Sequence, residues 1–362
     1  MTTRRPSRPA PRRSSAPAPD PAPDAAPVLA PGRRLLLGAG ALLPLGAVLA
    51  ACGSSVTGPA ASPAAGGAVS IANCGSQVEL TGPPRAAIGL HPSQTELLLR
   101  LGLRESIVGQ AQAEAQPLPE DVADLAADIP VIGGQTPPAR EELLAAEPDF
   151  VYAPTTYEFS GEQGFATVEQ LAQAGAAVYV ATGGCADRRM TGTVEDLFTD
   201  LDNLGEIFGI AERAGELSAD QRGTLEEVSA AVSGRDPVRT AQVYVEGTTL
   251  SVIGAGVEHD ILLRAGADPV HGPDQDLFAD FFAAQISPEA LAAEEPAALV
   301  FGVHDAAHEQ ATRDYLTSTF PQMPAVAEGR LIAVPSTSLF PGTLGNVSAV
   351  RTIAEALHPD VL

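Results

Sequence analysis

Apolar residues follow two rhythms along this chain. Short apolar runs at 86–90, 106–109, 130–132, 150–153 and 177–180 read as strands. Between them lie segments with apolar residues at helical spacing. In one, Ser93-Gln94-Thr95-Glu96 forms a capping box that starts a helix at Ser93, carrying Leu97, Leu98, Leu99 and Leu101. From 193 to 231 the pattern changes. Leu197, Leu201, Leu204, Ile207 and Phe208, then Ala214, Leu217, Leu225 and Val228, keep a 3.6-residue period with no strand signal. This predicts one long helix of about 40 residues, or two with a break; an unbroken 30 residues would span about 45 Å. Strands resume at 241–245, 250–253, 298–303 and 330–334. Helices are predicted at 260–265 and 308–316, and over 347–357 with Asn346 as its cap. Strands alternating with helices predict a parallel-sheet α/β protein.

One phrase occurs twice. Arg140-Glu141-Glu142-Leu143-Leu144-Ala145-Ala146-Glu147-Pro148 precedes the strand at 150–153. Ser287-Pro288-Glu289-Ala290-Leu291-Ala292-Ala293-Glu294-Glu295-Pro296 precedes the strand at 298–303. In both, proline disfavours helix at the residue before it and closes a short helix. The copies lie about 148 residues apart, which predicts two similar lobes with equivalent glutamates, Glu141 and Glu289. The expected division is a first lobe over 69–190, a linking long helix over 191–234 and a second lobe over 235–362, with a ligand cleft between the lobes.

The N-terminus adds a cellular address. A basic, Pro-rich start leads to Arg33-Arg34, an apolar stretch of about 15 residues, and Leu49-Ala50-Ala51-Cys52. Residues 1–52 read as a secretory signal whose apolar run is too short to span a bilayer. Residues 53–68, rich in Gly, Ser, Pro and Ala, read as a flexible tether. Arg33-Arg34 is compatible with twin-arginine or Sec export.

Every one of the 21 basic side chains is Arg. Beyond Cys52 there are 14 basic against 43 acidic side chains, a net charge of −29. That charge argues against nucleic acid as a partner, because phosphate repels it. In an exported chain the two cysteines beyond Cys52, Cys74 and Cys185, read as a disulfide; two buried free thiols are the alternative. G-x-S-x-G, P-loop, dinucleotide and C-x-x-C motifs are absent, so nothing points to an enzyme or a resident cofactor.

Several stretches resemble a known family. The L-A-A-C ending resembles the lipobox of bacterial lipoproteins, which implies lipidation at Cys52. Pro84-Arg85, Ile88-Gly89-Leu90-His91-Pro92-Ser93, Thr95-Glu96-Leu97, Glu147-Pro148-Asp149, Gly329-Arg330-Leu331 and Val334-Pro335 resemble the helix-linked substrate-binding lipoproteins of ABC importers. Those proteins bind ferric siderophores, cobalamin or haem. The Asn73-Cys74-Gly75 start with Cys185 resembles an actinobacterial branch, some members of which are proposed to carry a phosphate-bearing deazaflavin-cofactor precursor. The resemblance implies a receptor on the outer face of the cytoplasmic membrane, partnered by a permease and its ATPase, with Glu141 and Glu289 docking onto permease arginines.

Ligands of open α/β sheets bind beyond the carboxyl ends of the strands. The candidate ligand residues are therefore His91, Ser93, Gln94, Thr95, Tyr157, Glu158, Phe159, Glu246, His304 and Phe340. The helix N-terminus at Ser93 would offer free N–H groups to an anion, and the aromatic residues would pack on an organic ring. A ferric siderophore or related metal chelate is the first ligand expected, and a corrinoid, haem or deazaflavin precursor the alternative. A zinc or manganese receptor built on His91 and His304 is a further alternative, with His308 expected on a solvated helix face.

Overall fold

A computed structural model of the chain describes residues 67–114 and 116–361. The signal segment, Cys52 and nearly all of the tether lie outside the described residues.

The first lobe opens with a hairpin the sequence pattern does not announce, β1 (Val69–Asn73) and β2 (Ser76–Leu80), turned at Cys74-Gly75 with both residues at positive φ. There follow β3 (Ala87–Gly89), α1 (Pro92–Arg100), β4 (Ile107–Gln110), α2 (Glu120–Ala126), α3 (Arg140–Ala145), β5 (Phe150–Ala153), α4 (Val168–Gln173) and β6 (Ala177–Val180). Four of these strands form a parallel sheet in the order β4-β3-β5-β6. The strand expected at 130–132 is reduced to a single bridge between Gln110 and Val131.

Two helices then leave the lobe, α5 (Asp196–Phe208) and α6 (Ala211–Val232). The break falls at Gly209, whose φ of 68° ends α5 in the left-handed conformation. Helix α6 folds back along α5. Arg222 pairs with Glu195 at 2.8 Å and lies 3.7 Å over the Phe198 ring. At 22 residues, α6 spans about 33 Å. Arg213 near its start donates to the carbonyl of Arg100 in the first lobe, and Glu227 near its end pairs with Arg351 in the second. Of the two forms the sequence leaves open, the broken one is adopted, and α6 makes the link.

The second lobe contains β7 (Val238–Glu246), β8 (Thr249–Ile253), α7 (Val257–Arg264), β9 (Ala267–Pro269), β10 (Ala283–Gln285), α8 (Pro288–Ala293), β11 (Ala298–Val303), α9 (Ala306–Thr319), α10 (Pro324–Ala327), β12 (Leu331–Pro335) and α11 (Gly345–Leu357). Its sheet runs β10-β8-β7-β11-β12, with β9 on β7. It is mixed rather than parallel throughout. A tight turn at Gly247, with φ of 59°, returns β8 antiparallel to β7.

Both copies of the repeated phrase fold alike. After α3 and α8 the chain passes through Glu147 and Glu295, at φ of 48° and 47°, immediately before Pro148 and Pro296. The left-handed glutamate and the proline together stop each helix. In the first lobe Asp149 then accepts the N–H groups of Arg85 and Ala86 at 2.8 and 2.9 Å, joining the Pro84-Arg85 and Glu147-Pro148-Asp149 phrases in space.

Every strand of the repeat is buried on both faces, so its sequence is continuously apolar. One buried cluster runs unbroken from Leu97, Phe150 and Leu204 through Leu217 and Leu225 on α6 to Ile261, Val350 and Ile353. Two separate clusters cover the outer faces of the two sheets. Cys74 and Cys185 are bonded, closing a sequence separation of 111 residues.

A second contact joins the lobes at 340–342. Gln94 Nε2 donates to the Pro341 carbonyl at 3.3 Å, and the buried Tyr152 hydroxyl donates to the Gly342 carbonyl at 3.2 Å. Asn346 does not cap α11. It lies inside that helix, fully buried, and donates to the carbonyls of Ser338 and Phe340. Gly342 has φ of 66°, and a Cβ there would lie 2.5 Å from Ala181 Cβ and 2.6 Å from Asp200 Oδ2. Asp200 is itself fully buried. It accepts from the Tyr179 hydroxyl and from the Thr182 N–H and hydroxyl, and burial pushes its pKa up to about 7. Gly342→Ala should therefore lower stability by roughly 2–5 kcal/mol, combining left-handed backbone strain with overpacking. Chemical denaturation of the variant against the parent checks this.

Candidate functional site

The second sheet shows alternate side chains to each face. On β7, Ala241, Val243 and Val245 enter the outer core, while Gln242 and Tyr244 point the other way. Gln242 lies opposite Ile253 and Tyr244 opposite Ser251 on β8, and Ala283 of β10 lies opposite Ile253. With Gly302 of β11 they floor a cavity of about 330 Å³. A Cβ at Gly302 would come within 3.0 Å of Ser336 Oγ and 3.1 Å of Leu339 Cδ1. The walls are largely apolar and include Phe282, Leu339 and Phe340. The Phe340 ring rests on the His91 ring of the first lobe, with centroids 4.2 Å apart.

Arg189, from the loop leading into α5, lines this cavity and is held twice. Its guanidinium donates to both oxygens of Glu258 at 3.0 and 2.8 Å and lies 3.5 Å over the Phe282 ring. Both members of this ion pair are largely buried, so each needs the other. Two polar atoms on the lining are less fortunate. Gln242 is 3% exposed, and its Oε1 has no hydrogen-bond partner among the described residues; the same holds for Ser336 Oγ.

Of the candidate ligand residues, His304 and Phe340 line the cavity directly. His91 stands behind Phe340. Ser93, Gln94 and Thr95 are buried at the start of α1. That helix begins two residues earlier than the capping box suggests: His91 is the N-cap and Pro92 occupies the first turn, where its missing N–H costs nothing. His91 Nδ1 accepts from the Ser93 N–H, and the His91 carbonyl accepts from the N–H groups of Gln94 and Thr95. These donors are taken, which corrects the expectation of free N–H groups for an anion. Phe159 is buried in the outer core of the first lobe, and Tyr157 is exposed against Phe165. Glu158 is buried and accepts from Thr155. Burial pushes its pKa up to about 7 against that bonding and the charge of Arg189.

Glu246, His304 and His308 gather at the strand ends, with ligand-capable atoms within 4.8 Å of one another. His308 is not on a solvated face. Its Nδ1 accepts from the His304 N–H at 3.3 Å, its Nε2 donates to the Val245 carbonyl at 3.0 Å, and its ring stacks on His304. The Tyr244 hydroxyl bonds Glu246 and His304. Both nitrogens of His308 are engaged, so a cation here would have to displace one of those bonds. His91 is not part of this group.

Glu141 and Glu289 occupy the first turns of α3 and α8 and are exposed. Arg140 donates to Glu141 and holds its pKa below the ordinary value; backbone N–H bonding does so for Glu289. A broader groove of about 820 Å³ lies between the lobes along α6, lined by Glu96, Gln116, Asp220, Asp305 and Glu309 among others. Gln116 bridges it, donating to the Val303 carbonyl at 3.0 Å.

Arg189, Gln242, Tyr244, Glu258, Phe282 and Ser336 were not among the residues singled out in sequence. For β7 a signal existed: Thr240, Gln242, Tyr244 and Glu246 alternate with apolar residues, which marks a polar face on a central strand.

The model of the periplasmic binding protein family matches residues 88–337. A cobalamin-binding protein of Halobacterium salinarum is 26% identical over 291 residues, covering 78% of this chain and 71% of that protein. Among solved structures, a periplasmic binding protein of Veillonella parvula superposes with a TM-score of 0.71 at 23% identity, covering 82% of this chain and 99% of that one. An ABC-type Fe3+-hydroxamate transport protein of Saccharomonospora viridis gives 0.66 at 23% identity, covering 80% and 99%. These superpositions establish a two-lobed α/β fold.

Burial holds His91 neutral and lowers its pKa from 6.5 to about 3. Between those values the unfolded chain binds the additional proton, so this contribution to stability is lost as pH falls from 6.5 towards 3, by up to about 1.4 kcal/mol per pH unit. Asparagine can cap a helix without titrating. His91→Asn should therefore show a shallower loss of stability with acidification than the parent. Parallel curves in denaturant titrations at pH 7, 6, 5 and 4 would refute this.

Proposed function

Because this chain belongs to the periplasmic binding protein family, we propose that it is the extracytoplasmic receptor of an ABC importer and captures an organic metal chelate at the cavity on the second lobe. It is exported by its N-terminal signal, lipidated at Cys52 and held at the outer face of the cytoplasmic membrane. It delivers its ligand unchanged, docking on the permease through Glu141 and Glu289.

The observation that carries this reading is the character of the cavity. Phe282, Leu339 and Phe340 surround a few polar atoms at the end of a sheet, the usual composition of a site for a small organic molecule. The bonding of both His308 nitrogens weighs against a bare zinc or manganese ion. A ferric siderophore remains the ligand class that the sequence resemblance favours. The named Halobacterium relative favours testing a corrinoid alongside it. Haem and a deazaflavin precursor come after these.

The glutamates suit docking for a physical reason. Each projects from a helix stopped by the same left-handed Glu-Pro junction, so their spacing is set by the fold. Paired carboxylate–guanidinium contacts at fixed spacing give orientation as well as attraction.

Thermal unfolding of the full-length protein with ferric siderophores, cyanocobalamin, haem, a deazaflavin precursor, zinc and manganese tests the ligand class. A ligand at 100 times its Kd adds about 2.7 kcal/mol, a shift of several degrees. Stabilisation by one organic ligand alone is expected; stabilisation by zinc or manganese alone would overturn the proposal. Separately, Glu141→Ala combined with Glu289→Ala should abolish cellular uptake while leaving ligand affinity and unfolding temperature unchanged. Normal uptake by the double variant would sink the docking role.

A further inference from the structure

We propose that the cavity on the second lobe recognises an uncharged, amide-type group of the ligand, one presenting N–H and C=O on a flat edge, through Gln242 and Ser336. This rests on the receptor reading and names the chemistry that the receptor selects.

Charge is the first argument. The one arginine lining the cavity among the described residues, Arg189, is already bound by both oxygens of Glu258. A ligand carboxylate or phosphate would have to compete with a buried, bidentate carboxylate and lie beside it. A ligand cation would meet Arg189. The pair therefore leaves the cavity electrically balanced, and a neutral group enters at the lowest electrostatic cost.

Hydrogen bonding is the second. Gln242 sits on a central strand at 3% exposure with an acceptor that no described residue satisfies. A buried, unsatisfied acceptor costs roughly 1–3 kcal/mol, and on a cavity lining it is open to a partner from outside the chain. Its Oε1 requires an N–H or O–H donor. Ser336 Oγ, equally unpartnered on the same lining, can donate to a carbonyl. A carboxamide, lactam, imide or hydroxamate supplies both functions without a full charge.

Shape is the third. Gly302 leaves open the space beside Ser336 that a side chain would fill. The ring of Phe282, backed by Arg189, and that of Phe340, backed by His91, give flat apolar walls. At about 330 Å³ the cavity takes one planar moiety of a larger ligand rather than a whole corrinoid or siderophore.

Benzamide and benzoate, matched in size and differing in charge, separate these ideas by protein-detected NMR titration of the full-length protein. Benzamide should bind at millimolar concentration with shifts at Gln242, Gly302 and Phe282, and benzoate at least about tenfold more weakly. Gln242→Leu should weaken benzamide about tenfold, the equivalent of 1.4 kcal/mol, without lowering the unfolding temperature; Gln242→Met serves if the leucine variant does not fold. Equal or tighter binding of benzoate, undiminished benzamide binding by the folded variant, or destabilisation of both the leucine and the methionine variant by several degrees would each overturn the proposal. The same titrations with cyanocobalamin and ferrioxamine B distinguish the two failures. A chelate that binds while benzamide shows no preference defeats only the amide inference, and a benzamide preference without any chelate binding defeats only the chelate-receptor reading.

Discussion

The structure depends on two ties between its lobes. Helix α6 is the covalent link, and the segment 340–342 of the second lobe makes the other tie, where Pro341 and Gly342 present their carbonyls to Gln94 and Tyr152. A single link would leave a hinge; a link and a hydrogen-bonded contact, backed by one continuous buried core, resist rotation of one sheet against the other. The same segment carries Phe340, so the bonds that tie the lobes also set one wall of the cavity. The lobe contact and the cavity wall thus share residues, and motion that opened the cavity widely would have to break Gln94–Pro341 and Tyr152–Gly342 together.

Buried polar groups are used in two distinct ways. Asp200, Asn346 and the His91–Ser93 pair bond to the chain itself and fix the ends of β6, α11 and α1, while Asp200 Oδ2 and Asn346 Oδ1 keep no partner among the described residues. Arg189 and Glu258 satisfy one another. Gln242 and Ser336 differ in place, because their unpaired atoms line an apolar cavity. A fold gains nothing from such atoms by itself, whereas a receptor gains selectivity, because a ligand lacking the complementary group leaves them unpaired.

The two-lobed α/β fold was legible because it is written in local signals. Apolar runs that form two-sided strands, the period of α5 and α6, and the duplicated Glu-Pro phrase all act within a few residues. Errors fell where a local signal had a competitor. Ser93 looked like a cap, but Pro92 is better suited to a first turn, and the helix starts at Pro92 with His91 as its cap. Asn346 looked like a cap and is instead a buried donor. The β1–β2 hairpin escaped notice because its strands alternate weakly and turn at Cys74-Gly75. His308 looked solvated from helical position alone, since nothing local indicates that its ring folds back to the Val245 carbonyl.

Sequence by itself therefore determined the elements, the duplication and the family, because propensity, periodicity and capping act over short stretches of chain. It also singled out His304 and Phe340, which line the cavity, since strand ends can be read from the end of an apolar run. Only the tertiary structure decided which of those ends meet. Arg189, Gln242, Glu258, Phe282 and Ser336 come from five separate segments, and their meeting follows from the register of β7, β8 and β11 and from the route of the loop before α5. Tertiary packing likewise consumed the N–H groups of α1 and buried Phe159 and Glu158, which had looked available. Whether a side chain is free to bind is a property of its neighbours, and those neighbours are brought together by packing across distances that a linear pattern does not encode.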